Sequence, residues 1–140
     1  MQERTIDGRM FEIRPLNVEK GRKVFARSQK LLMLLAEEDK SLGIDPVAFS
    51  VMAGALSEED LAFLCDQFAP TCTVHFSEDR VLGLSKCMDE VFAGQIDVMF
   101  EWLVACLDVN FGGYLAKMRC AVKEIAARAQ QIKAATESSQ

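Results

Sequence analysis

A run of apolar residues dominates the middle of the chain. Residues 92–115 read FAGQIDVMFEWLVACLDVNFGGYL, and the acids Asp97, Glu101 and Asp108 fall on one narrow stripe of a helix that turns about 100° per residue. Apolar residues fill most of the remaining circumference, where an ordinary surface helix shows a polar half. The pattern predicts a central helix, capped at Ser85, that is covered on nearly every side. The cover comes either from the chain's own elements or partly from a partner protein.

The three acids argue against a membrane span. A carboxylate at the centre of a bilayer costs about 2.5 to 3.5 kcal/mol even on a lenient insertion scale. The N-terminus, MQERTIDGRMFEIRPL, lacks the charged-then-apolar layout of a signal peptide. A net charge of −5 gives the chain no overall attraction to nucleic acid. We therefore expect a cytoplasmic protein without membrane or nucleic-acid partners.

Local signals on both sides of the central helix predict the other elements. In TIDGRMFEIRPL an Asp-Gly pair lies between extended segments, which predicts a short β-hairpin. Helices are predicted from Asn17 to about Glu38, from Pro46 to Ala55, from the cap Ser57 to just before Pro70, and from about Tyr114 to Ala135. The alternating stretch TCTVHF is a short strand or an extended connection.

We therefore predict an α+β fold that is mostly α, in which a short N-terminal β-hairpin precedes a bundle of about five helices. At 140 residues the chain forms a single domain by length. Within this domain, residues 1–140, the hairpin takes residues 1–16, the helical body takes residues 17–135, and residues 136–140 form a frayed tail.

The last predicted helix carries a seam of apolar residues at alternating spacings of three and four. One interpretation is that the seam packs onto the central helix of the same chain. The other is that its distal half binds a partner, because residues from Ala129 onward lie far from any core that the chain can supply. The candidate partner-binding residues are Met118, Val122, Ile125 and Ile132, with Lys123, Arg128 and Lys133 at the rim of the seam.

Groups with catalytic or metal-binding chemistry are sparse. His75 is the single histidine, and with Cys72 it forms a C-x2-H pair that lacks a second pair at metal-ligand spacing. Five cysteines without a CxxC motif are typical of small buried hydrophobes in a reducing compartment. Asp97 and Glu101 lie one helical turn apart, but a solvated helix edge explains them better than acid–base catalysis. We predict no catalytic residue, no cofactor and no metal, and therefore no enzyme.

Four segments together resemble the tail assembly chaperones of long-tailed, siphovirus-type bacteriophages. They are IDGRMFEIRPL, GRKVFARSQKLL, LSEEDLAFLCDQFAPTCTV and FAGQIDVMFEWLVACLDVNFGGYL, and they cover most of the chain. The resemblance implies a hairpin followed by a helical body, self-association, and binding to the long helical tape measure protein until tail tube subunits replace the chaperone. In many relatives it also implies a frameshifted longer form whose added domain recruits the tail tube protein.

From the residues and the resemblance we expect an assembly chaperone that keeps the tape measure protein soluble. It should act in the host bacterial cytoplasm and be absent from the mature virion. The alternative from another class is a small helical regulatory protein that binds an apolar ligand in a pocket near Trp102.

Overall fold

The computed structural model describes residues 1–37, 51 and 53–138. It confirms the predicted α+β class, with an N-terminal hairpin and a mostly helical remainder. The described strands are β1 (Gln2–Ile6), β2 (Arg9–Ile13), β3 (Cys72–His75) and β4 (Val81–Gly83). The described α-helices are α1 (Val18–Arg27), α2 (Gln29–Glu37), α3 (Glu58–Phe68), α4 (Met88–Phe92) and α5 (Ile96–Ser138). The helix predicted from Pro46 to Ala55 falls mostly outside the described residues.

The four strands form one antiparallel sheet in the order β1-β2-β3-β4. The predicted hairpin is confirmed: Asp7 and Gly8 form its turn with φ values of 51° and 76°, the left-handed conformations that an Asp-Gly turn requires. The stretch TCTVHF contains strand β3, which places His75 opposite Met10 of β2. Strand β4 was missed, because three residues with a single half-buried side chain give no alternating pattern.

The sheet packs against the N-terminal half of α5, and this contact forms the hydrophobic core. Phe11 of β2 and Trp102 of α5 are both 0% exposed. The ring of Phe92 lies 6.3 Å from that of Phe11 and 5.4 Å from that of Trp102. Leu103 and Leu107 are also fully buried. The prediction of a central helix is therefore confirmed for this half of α5, and the chain's own sheet and helices supply its cover.

The acidic stripe of the central helix lies at the edge of this core. Asp97 and Glu101 are exposed, as a solvated edge requires. Asp108 is half-buried and accepts a hydrogen bond from Arg4 Nη2 at 2.8 Å, which joins α5 to β1. Because the two side chains are 36% and 46% exposed, solvent screening keeps the contribution of this ion pair small.

The segment Ile96–Thr136 is long and apolar enough to cross a membrane by length and composition alone. The core helix of a folded domain passes the same test. The first part of this segment lies in the core around Trp102, and its acids lie at the solvated edge of that core. Packing within the domain therefore explains the apolar character of this first part.

The central helix begins at Ile96, so the predicted start at Ser85 was wrong. Ser85 lies in a short 3-10 turn, and α4 follows it as a separate helix. Gly94 ends that short helix with a φ of +73°, a left-handed conformation that breaks a right-handed helix. The hydrophobic pattern could not show this break, because a single glycine is also tolerated inside a helix.

The helix predicted from Asn17 to about Glu38 is divided at Ser28, which is a second correction. Asn17 caps α1 as predicted, with its Oδ1 accepting a hydrogen bond from the N–H of Lys20 at 2.9 Å. Ser28 is fully buried, and its hydroxyl donates to the carbonyl of Val24 at 2.7 Å. The backbone N–H of Ser28 donates to the same carbonyl at 2.9 Å, and α1 ends where the backbone of Ser28 reaches φ −102° and ψ 13°. A serine hydroxyl bonded four residues back often accompanies such a bend.

A non-helical residue separates the central helix from the predicted last helix, which is therefore confirmed as a distinct segment, although both lie within α5. The break is at Phe111, which has φ −126° and ψ 15°, and not after the glycine pair, which is helical. Asn110 Nδ2 donates to the carbonyl of Cys106 at 2.8 Å, and Asn110 Oδ1 accepts the N–H of Leu16 at 2.8 Å. These bonds tie the kink to the segment after the hairpin and so direct the rest of α5.

Candidate partner-binding surface

The part of α5 after the kink is first held against the body of the domain. The ring of Phe25 in α1 lies 5.7 Å from the ring of Phe111 and 5.1 Å from that of Tyr114. One turn further on, Arg119 Nη2 donates to the carbonyl of Leu35 at 3.0 Å and so satisfies a carbonyl group near the end of α2. Helices α1 and α2 therefore form the support on which this segment rests.

Burial then falls along the helix. Leu115 is 2% exposed, Met118 and Val122 are half-buried, and every residue from 123 to 136 is exposed. We call residues 123–136 the terminal arm. An α-helix of this length extends by about 20 Å, which carries the terminal arm clear of the hydrophobic core.

Two isoleucines lie on one side of the terminal arm. Ile125 and Ile132 are seven residues apart, close to two helical turns, and each is 67% exposed. A solvated helix gains nothing from isoleucine, because alanine, lysine and glutamate all have higher helix propensity. These two exposed side chains are therefore better explained by contact with another molecule than by the stability of the helix itself.

Basic residues flank the isoleucines. Lys123, Arg128 and Lys133 are exposed on the terminal arm, whose one acid is Glu124. The chain as a whole carries a net charge of −5, so the terminal arm is a basic segment on an acidic protein. Such a segment attracts an acidic partner and raises the rate of association at low ionic strength.

The structure divides the seven predicted partner-binding residues into two groups. Met118 and Val122 lie at the base of the arm, where Met118 packs against the core. The other five are exposed on the terminal arm: Ile125, Ile132, Lys123, Arg128 and Lys133. Packing of the seam within the same chain is therefore limited to its first turns. The partner-binding role of the terminal arm stays a prediction.

The sequence analysis missed the residues that attach the arm. These residues are Phe25 and Arg119, neither of which was among the predicted partner-binding residues. Their contacts with α5 and α2 join positions that are distant in the chain, and no local pattern of residues reports such contacts. These two side chains are positioning residues for the terminal arm.

Other candidate groups have partners inside the fold. His75 Nε2 lies 3.0 Å from Glu12 Oε1 on the neighbouring strand. Among the described residues no group of three or more potential metal ligands occurs. Trp102 is fully buried, and its indole N–H donates to Cys72 Sγ at 3.3 Å, so its ring and its polar atom are both engaged in the core. A cleft of about 480 Å³ lies elsewhere, between the α1–α2 junction and the start of α3.

A comparison with protein families identifies the family of the chain. The family described as phage tail assembly chaperone protein, TAC, matches residues 7–121. The chain belongs to this family. The resemblance found in the sequence is thereby confirmed, and tail assembly chaperones act without catalysis. Comparison of this chaperone with curated proteins and with solved structures gives no match. The matched segment ends at Ala121, two residues before the terminal arm begins at Lys123.

Proposed function

We propose that this tail assembly chaperone binds the tape measure protein, keeps it soluble in the host cytoplasm, and is displaced when tail tube subunits polymerise. The tail tube protein displaces the chaperone either directly or after recruitment by a frameshifted longer form of the chaperone. The chaperone does not remain in the mature virion. Membership of the family supports the role in tail assembly. The observation that carries the choice of surface is the 67% exposure of Ile125 and Ile132.

The chemistry of the terminal arm suits a helical partner with an apolar stripe and acidic flanks. A tape measure protein is expected to be long and helical, and an uncovered stripe along it would drive aggregation. Anchors at a spacing of seven residues match the repeat of such a stripe. Full burial of each isoleucine contributes on the order of 1.5 to 3 kcal/mol, so a single arm binds weakly. Weak contacts along one tape measure protein leave each chaperone copy replaceable by tube subunits.

Two aspartates on the apolar side of the terminal arm should abolish the ability of the chaperone to keep the tape measure protein soluble. We expect the double variant Ile125→Asp and Ile132→Asp to leave a co-expressed tape measure fragment insoluble, because burying an unpaired carboxylate outweighs the remaining apolar contact. The chaperone itself should keep its helical circular dichroism spectrum, since both positions are 67% exposed. The measurement is the soluble fraction of the partner after lysis, compared with the unaltered chaperone.

A matched control lies on the opposite side of the same helix. Ala127→Asp with Ala134→Asp introduces the same charge at the same spacing of seven, at two exposed positions. This variant should keep the tape measure fragment soluble. Equal loss in both variants would assign the effect to the net charge of the terminal arm, and no loss in the isoleucine variant would exclude the terminal arm as the binding surface.

We propose that the chaperone also associates with itself. The terminal arm is apolar and basic, whereas the chain as a whole is acidic. The body of one copy can therefore cover the terminal arm of another copy when the tape measure protein is missing. Light scattering at micromolar concentration should give a mass above the 15.6 kDa of the single chain. The mass should fall as salt is raised or when Ile125 is changed to Asp. A constant monomer mass over a wide range of concentrations contradicts this part of the proposal.

A further inference from the structure

Two buried cysteines face each other across the core, away from the terminal arm. Cys72 begins β3 and Cys106 lies on the core side of α5, and their Sγ atoms are 3.8 Å apart. Their exposed fractions are 2% and 0%. The two residues are 34 positions apart in the chain, so their contact joins the sheet to the central helix.

Hydrogen-bond donors around Cys72 favour its thiolate form. Trp102 Nε1 donates to Cys72 Sγ at 3.3 Å. The hydrogen bond with Cys106, together with that from Trp102 and the positive charge of Arg14, lowers the pKa of Cys72 to about 7 against the opposing effect of burial. Burial raises the pKa of Cys106 well above its ordinary value. One sulfur atom is thus a nucleophile and the other a protonated neighbour.

We propose that Cys72 and Cys106 form a peroxide-reactive thiol pair that closes reversibly to a disulfide between β3 and α5. The Cys72 thiolate attacks one oxygen atom of a hydroperoxide. An S–O bond forms as the O–O bond breaks, and the leaving oxygen takes up the proton that Cys72 released. The sulfur atom of Cys106 then attacks the sulfenic acid of Cys72. The S–S bond forms, and the hydroxyl group leaves as water with the proton of Cys106.

The geometry favours this outcome over irreversible oxidation. A disulfide requires the sulfur atoms to approach by roughly 1.8 Å, to the ~2.05 Å of an S–S bond. Because both sulfur atoms are buried, bulky disulfide reagents are excluded, whereas a small neutral peroxide enters through local opening of the core. With Cys106 already in contact, the sulfenic acid is consumed before a second peroxide arrives. The disulfide then restricts the unfolded chain and makes the oxidised domain more resistant to unfolding.

Peroxide treatment of the folded full-length chain tests the proposal. The exposed Cys120 is first changed to serine, which removes links between molecules. After treatment, free thiols are blocked in denaturant and the protein is digested and analysed by mass spectrometry. We expect a linked peptide pair containing Cys72 and Cys106, lighter by two hydrogen atoms and released by dithiothreitol. The buried Cys87, whose pKa is raised by burial, serves as the internal control and should remain a thiol.

Two further readouts distinguish a reactive pair from an ordinary buried contact. The chain has one tryptophan, Trp102, which touches Cys72, so its fluorescence should change as the disulfide forms. The rate of disulfide formation should rise about tenfold from about pH 6 to about pH 8 and then level off. The reason is that the thiolate of Cys72, whose pKa is about 7, is the reacting species. In Cys106→Ser, whose hydroxyl can still donate to Cys72, the sulfenic acid should persist and react with dimedone that is added together with denaturant. Recovery of both cysteines as free thiols, or a link that forms only in denaturant, would overturn the proposal.

Discussion

Replacing Trp102 with alanine is expected to lower the free energy of unfolding by about 3 to 5 kcal/mol. The side chain is fully buried, it contacts Phe92 with a distance of 5.4 Å between ring centroids, and its N–H donates to Cys72. The substitution leaves a large cavity and removes this hydrogen bond. Domains of this size are stable by about 5 to 15 kcal/mol, so a large part of the stability should be lost. Urea denaturation followed by circular dichroism measures the change, since the substitution removes the only tryptophan.

Ile125→Ala is the matched control for this experiment. It also shortens a large side chain on α5, but at a position that is 67% exposed. Its effect on the free energy of unfolding should stay within about 0.5 kcal/mol, because no cavity forms. Comparable losses in the two variants would contradict the division of α5 into a buried central part and a solvated terminal arm.

Elements with a strong local signal were predicted correctly. The Asp7-Gly8 pair specifies a tight turn by its backbone conformation, and Asn17 and Ser57 cap helices through their side-chain oxygens. The central helix could be predicted because a segment that is apolar on nearly every side must be covered. In each case the residues that predict the turn, cap or helix are the same residues that form it, and they lie within a few positions of one another in the chain.

Breaks inside helices were harder to predict, because the deciding interactions do not show in the hydrophobic pattern. Helix α1 ends at the buried Ser28, although serine also occurs within helices. Gly94 adopts a left-handed conformation, whereas the glycine pair after Phe111 stays helical. The kink at Phe111 lies beside Asn110, whose side chain bonds to the distant Leu16. Only the packed structure tells which of these residues interrupts a helix.

The candidate surface was predictable in its residues but not in its extent. The spacing of the seam identified Ile125 and Ile132, which the structure shows to be exposed. The sequence could not tell where the body of the domain ends along the same seam. That limit is set by Phe25 and by the bond from Arg119 to α2, and it leaves Val122 half-buried at the base of the arm. Substitutions at Val122 therefore test stability and binding together, whereas those at Ile125 test binding alone.

A chain that stops after Val122 is expected to fold and to lose its partner. Every residue from 123 to 136 is exposed, so removal of the terminal arm takes nothing from the hydrophobic core. The midpoint of thermal unfolding should shift by no more than a few degrees. The soluble fraction of a co-expressed tape measure fragment should fall to the level seen without the chaperone, because the isoleucine pair and its basic rim are gone. A chain that stops after Thr136 keeps the terminal arm and should behave like the full chain.

This comparison also separates the family's shared segment from the terminal arm. The shortened chain retains residues 7–121, which are all the residues that match the tail assembly chaperone family. If the shortened chain still keeps the tape measure fragment soluble, the binding surface lies within the shared segment, and the exposed isoleucines serve another contact such as self-association. If it folds and fails, binding requires a basic helical extension beyond the shared segment. Relatives should then carry their own extensions, each fitted to the tape measure protein of its own phage.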